Sequence, residues 1–142
     1  MQVRELMTDR VISVAQQELV SSAARLMKRH NLGALPVCDD EGRLRGVITD
    51  RDIVTRCIAA DMDPTDTRIR EIMSRGISTC RTDEEIGDAL HTMGSAQVRR
   101  LPVTQNGKLV GMLTLGDLSK NSRFHMEAAE ALGEISANIT RK

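Results

Sequence analysis

The sequence contains an internal repeat, and this repeat constrains the fold more than any other feature. A shift of 66 residues aligns positions 5–38 with 71–104 and gives eight identities. After a turn that is one residue longer in the first copy, a shift of 65 aligns positions 42–53 with 107–118 and adds five more. Thirteen of the 46 aligned positions therefore agree. Because self-similarity at a fixed spacing indicates repeated structural units, the 142 residues are expected to form two copies of one small fold.

Hydrophobic periodicity predicts the same elements in both copies. Apolar residues at positions i, i+3, i+4 and i+7 indicate one amphipathic helix per copy, formed around Val20, Ala23, Ala24 and Met27 and around Ile86, Ala89, Leu90 and Met93. Thr82 and Glu85 have the spacing of a capping box for the second of these helices. The strands are predicted near residues 11–14, 34–38 and 43–49 and near residues 77–80, 101–104 and 108–114. A further helix begins near Asp52 in the first copy and near Asp117 in the second.

The predicted fold is therefore α/β (α+β), with two β-α-β-β-α repeats and a C-terminal helix. We place the first repeat at residues 1–60, a polar, Pro-containing linker at 61–67 and the second repeat at 68–120. Residues 121–142 are predicted to form a C-terminal amphipathic helix with one apolar stripe, made of Phe124, Ala128, Ala131, Leu132, Ile135 and Ile139.

Composition excludes several classes of function. Lys and Arg total 20, as do Asp and Glu, so the chain has no net charge with which to attract nucleic acid or an anionic membrane. The single aromatic residue, Phe124, provides no series of stacking platforms for bases. The N-terminus lacks a signal-peptide pattern and the three cysteines are odd in number and widely spaced, so we expect a cytoplasmic protein. Its three histidines and three cysteines show neither metal-ligand spacing nor a catalytic arrangement, so we expect no metal site and no enzyme.

Each copy also carries a Thr-x-x-Asp element where a strand runs into a helix, at Thr49 and Asp52 and at Thr114 and Asp117. Thr and Asp at this position commonly cap the helix. The alternative is a ligand site, in which the Asp carboxylate accepts hydrogen bonds from a ribose diol and the helix start favours a phosphate. The spacing alone leaves both interpretations open.

The ordered motifs Glu-Leu-Met-Thr, Leu-Pro-Val and Gly-x-x-Thr-x-x-Asp lie between about residues 3 and 120, once in full and once with small changes. This set resembles the cystathionine-β-synthase (CBS) domain, and two such domains in tandem resemble a Bateman module of the small stand-alone bacterial type. The resemblance implies that the repeats are related by a pseudo-twofold axis. It also implies that adenosine-containing ligands such as AMP, ADP, ATP or S-adenosylmethionine bind in clefts between the repeats, as regulatory ligands rather than as cofactors.

Carried onto this chain, the resemblance adds candidate ligand-binding residues to Thr49, Asp52, Thr114 and Asp117. Leu35 and Pro36, and Leu101 and Pro102, are expected to frame an adenine pocket, although either Pro is equally typical of a strand start. Arg100 is a candidate for phosphate because it adjoins Leu101 and its guanidinium matches phosphate oxygens. The family also uses a hydroxyl near the end of the first strand, which corresponds here to Ser13 and Thr79.

Two functions are compatible with these patterns. The first is a sensor that binds an adenine nucleotide or related adenosyl ligand and signals to an unknown partner protein. The second is a dimerisation or scaffold protein whose clefts bind no ligand. A homodimer is expected in either case, because the helices carry more apolar surface than one small core can cover; the candidate contact surface is Ile53, Val54, Cys57 and Ile58.

Overall fold

The computed structural model describes residues 1–140 of the chain. Residues 141 and 142 of the predicted C-terminal segment lie outside the described residues, as does the side chain of Ile139 from the predicted stripe. In chain order the elements are β1 (Val14–Ala15), α1 (Val20–His30), β2 (Ala34–Cys38), β3 (Leu44–Thr49), α2 (Asp50–Asp52), α3 (Ile69–Ile72), β4 (Cys80–Arg81), α4 (Ile86–Ala96), β5 (Arg100–Gln105), β6 (Lys108–Thr114), α5 (Leu115–Ser119) and α6 (His125–Thr140). A π-helix (Ile53–Ile58) continues α2, and short 3₁₀ helices occupy Val3–Glu5 and Ser122–Phe124.

Each repeat folds into a three-stranded sheet, and the two sheets have the same topology. In the first, β2 is parallel to β1 and antiparallel to β3; in the second, β5 has the same relation to β4 and β6. The central registers also correspond, because Leu35 lies opposite Ile48 and Leu101 lies opposite Leu113. The predicted α+β fold of two β-α-β-β-α repeats with a C-terminal helix is confirmed.

The chain divides into two compact units, and one of them is made of two separate segments. The first-repeat unit contains residues 12–77, and the second-repeat unit contains residues 1–11 together with those from Ser78 onward. The first eleven residues thus fold with the second repeat, and residues 61–77 fold with the first.

Backbone pairing explains this exchange. In the second-repeat unit, the N–H and C=O groups of Thr8 and Met112 bond to each other, both at 2.9 Å. In the first-repeat unit, Ser74 and Val47 form the equivalent pair, at 2.9 and 3.0 Å. The leading segment of each repeat therefore pairs with one residue of the edge strand in the other repeat's unit.

The exchanged segments also start the long helices. Helix α1 begins with the N–H of Val20 donating to the Thr67 carbonyl at 2.9 Å, and α4 begins with the N–H of Ile86 donating to the Met1 carbonyl at 3.0 Å. The capping box predicted at Thr82 and Glu85 is wrong, because Glu85 makes no side-chain capping bond at the start of α4. A carbonyl supplied from a distant part of the sequence satisfies the first amide instead.

Each unit has its own hydrophobic core, and in the second-repeat unit α6 extends that core. Ala128, Ala131 and Ile135 of α6 are buried together with Leu90 and Met93 of α4. The helices approach closely at Gly94, where an added Cβ atom would lie 2.6 Å from Oε2 of Glu134. Small residues at this contact allow α6 to cover the outer face of α4.

A Gly46→Ala variant is expected to lose about 1–3 kcal/mol of unfolding free energy, the usual range for overpacking. Its new Cβ would collide with the Ser74 carbonyl oxygen, so the Val47–Ser74 pairing would have to open. Denaturant unfolding measures the loss. Gly87→Ala is the matched control, since a Cβ there meets no atom within 4 Å and alanine adds up to about 1 kcal/mol of helix propensity. Equal losses in the two variants would contradict the close-approach argument.

Candidate functional site

Both Thr-x-x-Asp elements lie at a corner where the last strand of a sheet enters a short helix. Thr49 ends β3 and Thr114 ends β6. The Thr49 hydroxyl accepts the N–H of Asp52 at 3.0 Å, and the Thr114 hydroxyl accepts the N–H of Asp117 at 3.2 Å. Both threonines therefore cap their helices. The two aspartates differ in what their carboxylates do.

Asp52 is buried, with 6% of its surface exposed, and its carboxylate is fully engaged within the first-repeat unit. Its Oδ2 accepts the N–H of Thr49 at 3.0 Å, which completes a reciprocal capping box. The Ser74 hydroxyl lies 3.2 Å from both carboxylate oxygens, and Nε of Arg56 lies 3.7 Å from Oδ1. Burial of this charge is offset by hydrogen bonds and an ion pair, as a buried carboxylate requires. We call these groups the closed corner.

Asp117 is exposed, and within the described residues its carboxylate accepts no hydrogen bond and forms no ion pair. Two substitutions between the repeats account for the difference. Thr8 occupies the position that corresponds to Ser74, and its hydroxyl makes no bond to Asp117 in the described structure. Asn121 corresponds to Arg56, and its side chain instead accepts the N–H of Arg123 at 3.0 Å. We call the group around Asp117 the open corner.

The second sheet places two more candidate residues at the end where the open corner lies. Arg100 begins β5 and is directly opposite Thr114 in the antiparallel register, so the two side chains leave the same face as close neighbours. Thr79 immediately precedes β4, which runs parallel to β5. A guanidinium, two hydroxyls and a carboxylate therefore converge at one end of this sheet.

The first sheet places the corresponding residues similarly but without a cation. Ala34 occupies the register position opposite Thr49 that Arg100 has in the other sheet. Ser13 immediately precedes β1 and is exposed. The first corner thus has fewer groups to hold an anion, and its carboxylate is already bonded.

The Leu-Pro pairs lie in the middle strands of the sheets. Leu35 and Leu101 are fully buried core residues, so only their backbone is available to a ligand. Pro36 and Pro102 lie beyond the ends of the short parallel neighbours, since β1 pairs only with Val37 and Cys38 and β4 only with Val103 and Thr104. A proline without an N–H is accommodated there because no strand partner needs it. Because no parallel strand pairs with the backbone at this point, a purine can form hydrogen bonds along this edge.

The three cysteines are buried and free. Burial raises the pKa of the Cys80 thiol to about 12, with the Glu84 charge contributing further, and burial also raises the pKa of Cys38. Thiols with raised pKa values hold almost no thiolate at neutral pH. Among the described residues, no group of three or more His, Cys, Asp or Glu side chains has the arrangement to hold a metal ion. No helix in the described range is long and apolar enough to cross a bilayer.

Sequence reasoning found the two corners but missed the residues that distinguish them. Ser74 and Arg56 complete the closed corner, and Thr8 and Asn121 replace them in the second-repeat unit. The signal was present in the repeat alignment, because the shift of 66 places Thr8 opposite Ser74. The alignment does not say that each hydroxyl joins the other repeat's sheet.

Comparison with known proteins agrees with this architecture. The CBS domain family model matches the chain twice, at residues 3–58 and 69–123. The CBS domain-containing protein YhcV of Bacillus subtilis is 39% identical over 134 residues, which are 94% of each chain. The chain belongs to the CBS domain family and contains two CBS domains in tandem.

Two solved structures are similar to this chain. Hypoxic Response Protein I, crystallised with two coordinated zinc ions, is 36% identical with a TM-score of 0.79 over 85% of this chain and 98% of its own. The CBS domain pair of protein MJ0100, in complex with 5′-methylthioadenosine and S-adenosyl-L-methionine, is 27% identical with a TM-score of 0.72 over 84% of this chain and 94% of its own.

Substitution of each aspartate by alanine is expected to separate the two corners by stability. Asp52→Ala removes a cap and leaves Thr49 N–H and Ser74 without their partner, so we expect a loss of about 2 kcal/mol. Asp117→Ala removes an exposed carboxylate with no described partner, so we expect a change within about 0.5 kcal/mol. Denaturant unfolding of both variants beside the parent measures the difference. Equal losses would show that the two corners are not distinct.

Proposed function

We propose that this protein is a regulatory sensor that binds one adenosine-containing ligand per chain at the open corner of the second repeat. The observation that carries the proposal is the exposed, unengaged Asp117 carboxylate on a sheet end that also presents Arg100 and Thr114. Support comes from the MJ0100 CBS domain pair, which holds two adenosyl compounds. The ligand acts as a signal and is not consumed, so no enzymatic step and no cofactor are proposed.

Each residue of the open corner has a role that follows from its chemistry. The two oxygens of Asp117 accept the two hydroxyls of a ribose, a charge-assisted arrangement. The guanidinium of Arg100 binds a phosphate or another anionic group of the ligand. The Thr114 hydroxyl, which accepts the Asp117 amide, keeps its own proton to donate to the same anion. Thr79 and the backbone beside Leu101 and Pro102 contact the base.

The closed corner serves structure in this proposal. Ser13, Leu35, Pro36, Thr49 and Asp52 occupy the positions that match the family's binding motif, but Asp52 already bonds Thr49 and Ser74. A diol would have to displace these bonds to bind there. The ligand stoichiometry is therefore one, and the first repeat acts as the fixed part of the sensor.

The signal is proposed to pass to a partner protein, and the sensor is proposed to be a cytoplasmic homodimer. The three free cysteines fit a reducing compartment. In the predicted contact surface, Cys57 is buried and Ile53 packs against the first-repeat core, whereas Val54 and Ile58 are 59% and 53% exposed. The exposed pair narrows the proposed dimer contact to one side of the π-helix.

Calorimetric titration with AMP, ATP and S-adenosylmethionine is expected to show one site per chain for at least one of them. Asp117→Asn should weaken that binding about ten- to a hundredfold, because hydrogen bonds to a charged group contribute about 1.5–3 kcal/mol. Asp88→Asn, an exposed substitution in α4 of the same unit, is the matched control and should leave the affinity unchanged.

Three results of this titration would count against the proposal in different ways. A parent that binds none of the three ligands supports a scaffold protein instead. A parent that binds while Asp117→Asn changes the Kd less than twofold contradicts the ribose contact. Two equivalent sites per chain contradict the closed corner.

Light scattering at micromolar concentration is expected to give the mass of a dimer. Val54→Asp combined with Ile58→Asp should give a monomer, because two charges would enter an apolar contact. The control is Val98→Asp, which changes an exposed apolar residue of the other unit and should leave the dimer intact. A parent of monomer mass, or a double variant that remains dimeric, would contradict this contact surface.

A further inference from the structure

A groove lies between α5 and α6, two helices of the second-repeat unit that pack against each other. Its volume is about 500 Å³, which is typical of a site for a small molecule. Leu115 and Ala128 line its depth and are only 6% and 3% exposed, whereas Ala129 and Leu132 line it as exposed residues of α6. Its described lining contains no aromatic ring, so the groove offers an aliphatic surface without a stacking platform.

This groove is separate from the open corner. On α5, it is lined by Leu115, Gly116 and Ser119, and its described lining does not include Asp117. In a helix with 3.6 residues per turn, positions 115, 116 and 119 share one side and position 117 lies on the opposite side. A ligand in the groove therefore does not use the Asp117 carboxylate.

The edge of the groove carries hydrogen-bond donors and positive charge. Arg99 and His125 both line it and are exposed, and no carboxylate of the described residues pairs with either side chain. The N–H of Leu115 donates to the Arg99 carbonyl at 2.8 Å, which fixes the backbone of this arginine at the start of α5. The Ser119 hydroxyl already donates to the Gly116 carbonyl at 2.9 Å. The guanidinium and the imidazole are therefore the donors available to a ligand.

Acidic side chains are kept away from this groove. The glutamates of α6 lie on its other flank, where Glu127, Glu130 and Glu134 line a smaller groove beside α4. Residues 118–126, which include the connection between α5 and α6, contain Lys120 and Arg123 and no Asp or Glu. The groove between α5 and α6 thus combines an aliphatic lining with a local excess of positive charge, which is complementary to an anion that has an apolar body.

We propose that the groove between α5 and α6 is a binding site for an aliphatic carboxylate. The hydrocarbon chain packs against Leu115, Ala128 and Leu132, and the carboxylate accepts hydrogen bonds from the guanidinium of Arg99 and the imidazole of His125. Because α5 and α6 both line the groove, the bound ligand joins the C-terminal helix to the second repeat. The site is independent of the adenosyl ligand proposed for the open corner.

An NMR titration of the isotope-labelled intact chain with octanoate tests this site. Octanoate is expected to shift the amide signals of α5, α6 and Arg99, with a Kd of about 0.1–1 mM for a ligand of this size. Acetate has the same head group without the chain, and octylammonium has the same chain with the opposite charge. Each of these two should bind about tenfold more weakly or less, because each lacks one of the two complementary features.

Two variants with matched controls locate the ligand. Gly116→Leu should reduce the affinity for octanoate at least about tenfold, because an added Cβ there meets no atom within 4 Å and the leucine would fill the groove. Gly133→Leu also adds its Cβ to open space on a helix, but outside the groove, and should bind as the parent does. Arg99→Gln should weaken binding about tenfold, since a hydrogen bond between charged groups is lost. Arg10→Gln removes an exposed arginine elsewhere in the same unit and should change the Kd less than twofold.

Several results would overturn the proposal. These are no binding of octanoate, amide shifts confined to other elements, equal binding of octanoate and octylammonium, or an unchanged Kd in Arg99→Gln. Binding of phosphatidylglycerol vesicles that is lost in Gly116→Leu would identify a membrane-binding surface instead, and a changed oligomeric mass of this variant would identify a contact between copies. Asp117→Asn should bind octanoate as the parent does, so a failure of this proposal is distinguishable from a failure of the nucleotide proposal.

Discussion

The pairing of each leading segment with the other repeat's sheet is the constraint on which the rest of this structure depends. Four backbone hydrogen bonds, between Thr8 and Met112 and between Ser74 and Val47, place residues 1–11 and 61–77 in their units. Gly46 and Gly111 permit this approach, because a Cβ at either would collide with backbone. The same segments supply the carbonyls that start α1 and α4. One exchange of segments between the repeats thus arranges the edge of each sheet, the starts of α1 and α4, and the two corners.

This exchange also decides which of the two aspartate carboxylates is engaged in the described structure. It brings a side chain from the leading segment to each corner, and in the first-repeat unit that side chain is the Ser74 hydroxyl on the Asp52 carboxylate. In the second-repeat unit the equivalent residue is Thr8, and Asp117 stays exposed. Two corners with the same backbone therefore have different chemistry because of a few side-chain differences, among them Ala34 for Arg100.

The fold was predictable from the sequence to the extent that it is local and repeated. Neighbouring residues determine the periodicity of α1 and α4, the two hairpins and the two corners. Because each pattern occurs in both copies of the repeat, each element was predicted from two places in the sequence. The exchange was not predictable, because alignment shows that Thr8 and Ser74 are equivalent but not which sheet each one joins. The π-helix over Ile53–Ile58 was also missed, since its apolar spacing is that of an ordinary amphipathic helix.

The difference between the corners also changes the free energy that a diol would gain at each of them. A diol at Asp52 would replace hydrogen bonds from Thr49 and Ser74 with bonds of the same kind, so its net gain would be small. A diol at Asp117 replaces only water, and the Arg100 guanidinium beside Thr114 adds an attraction, whereas the guanidinium at the first corner, that of Arg56, is already paired with Asp52. Binding restricts the motion of a ligand, which costs free energy. Of the two gains, only the one at Asp117 offsets this cost. Duplicated sites can therefore differ in occupancy while their backbones remain alike.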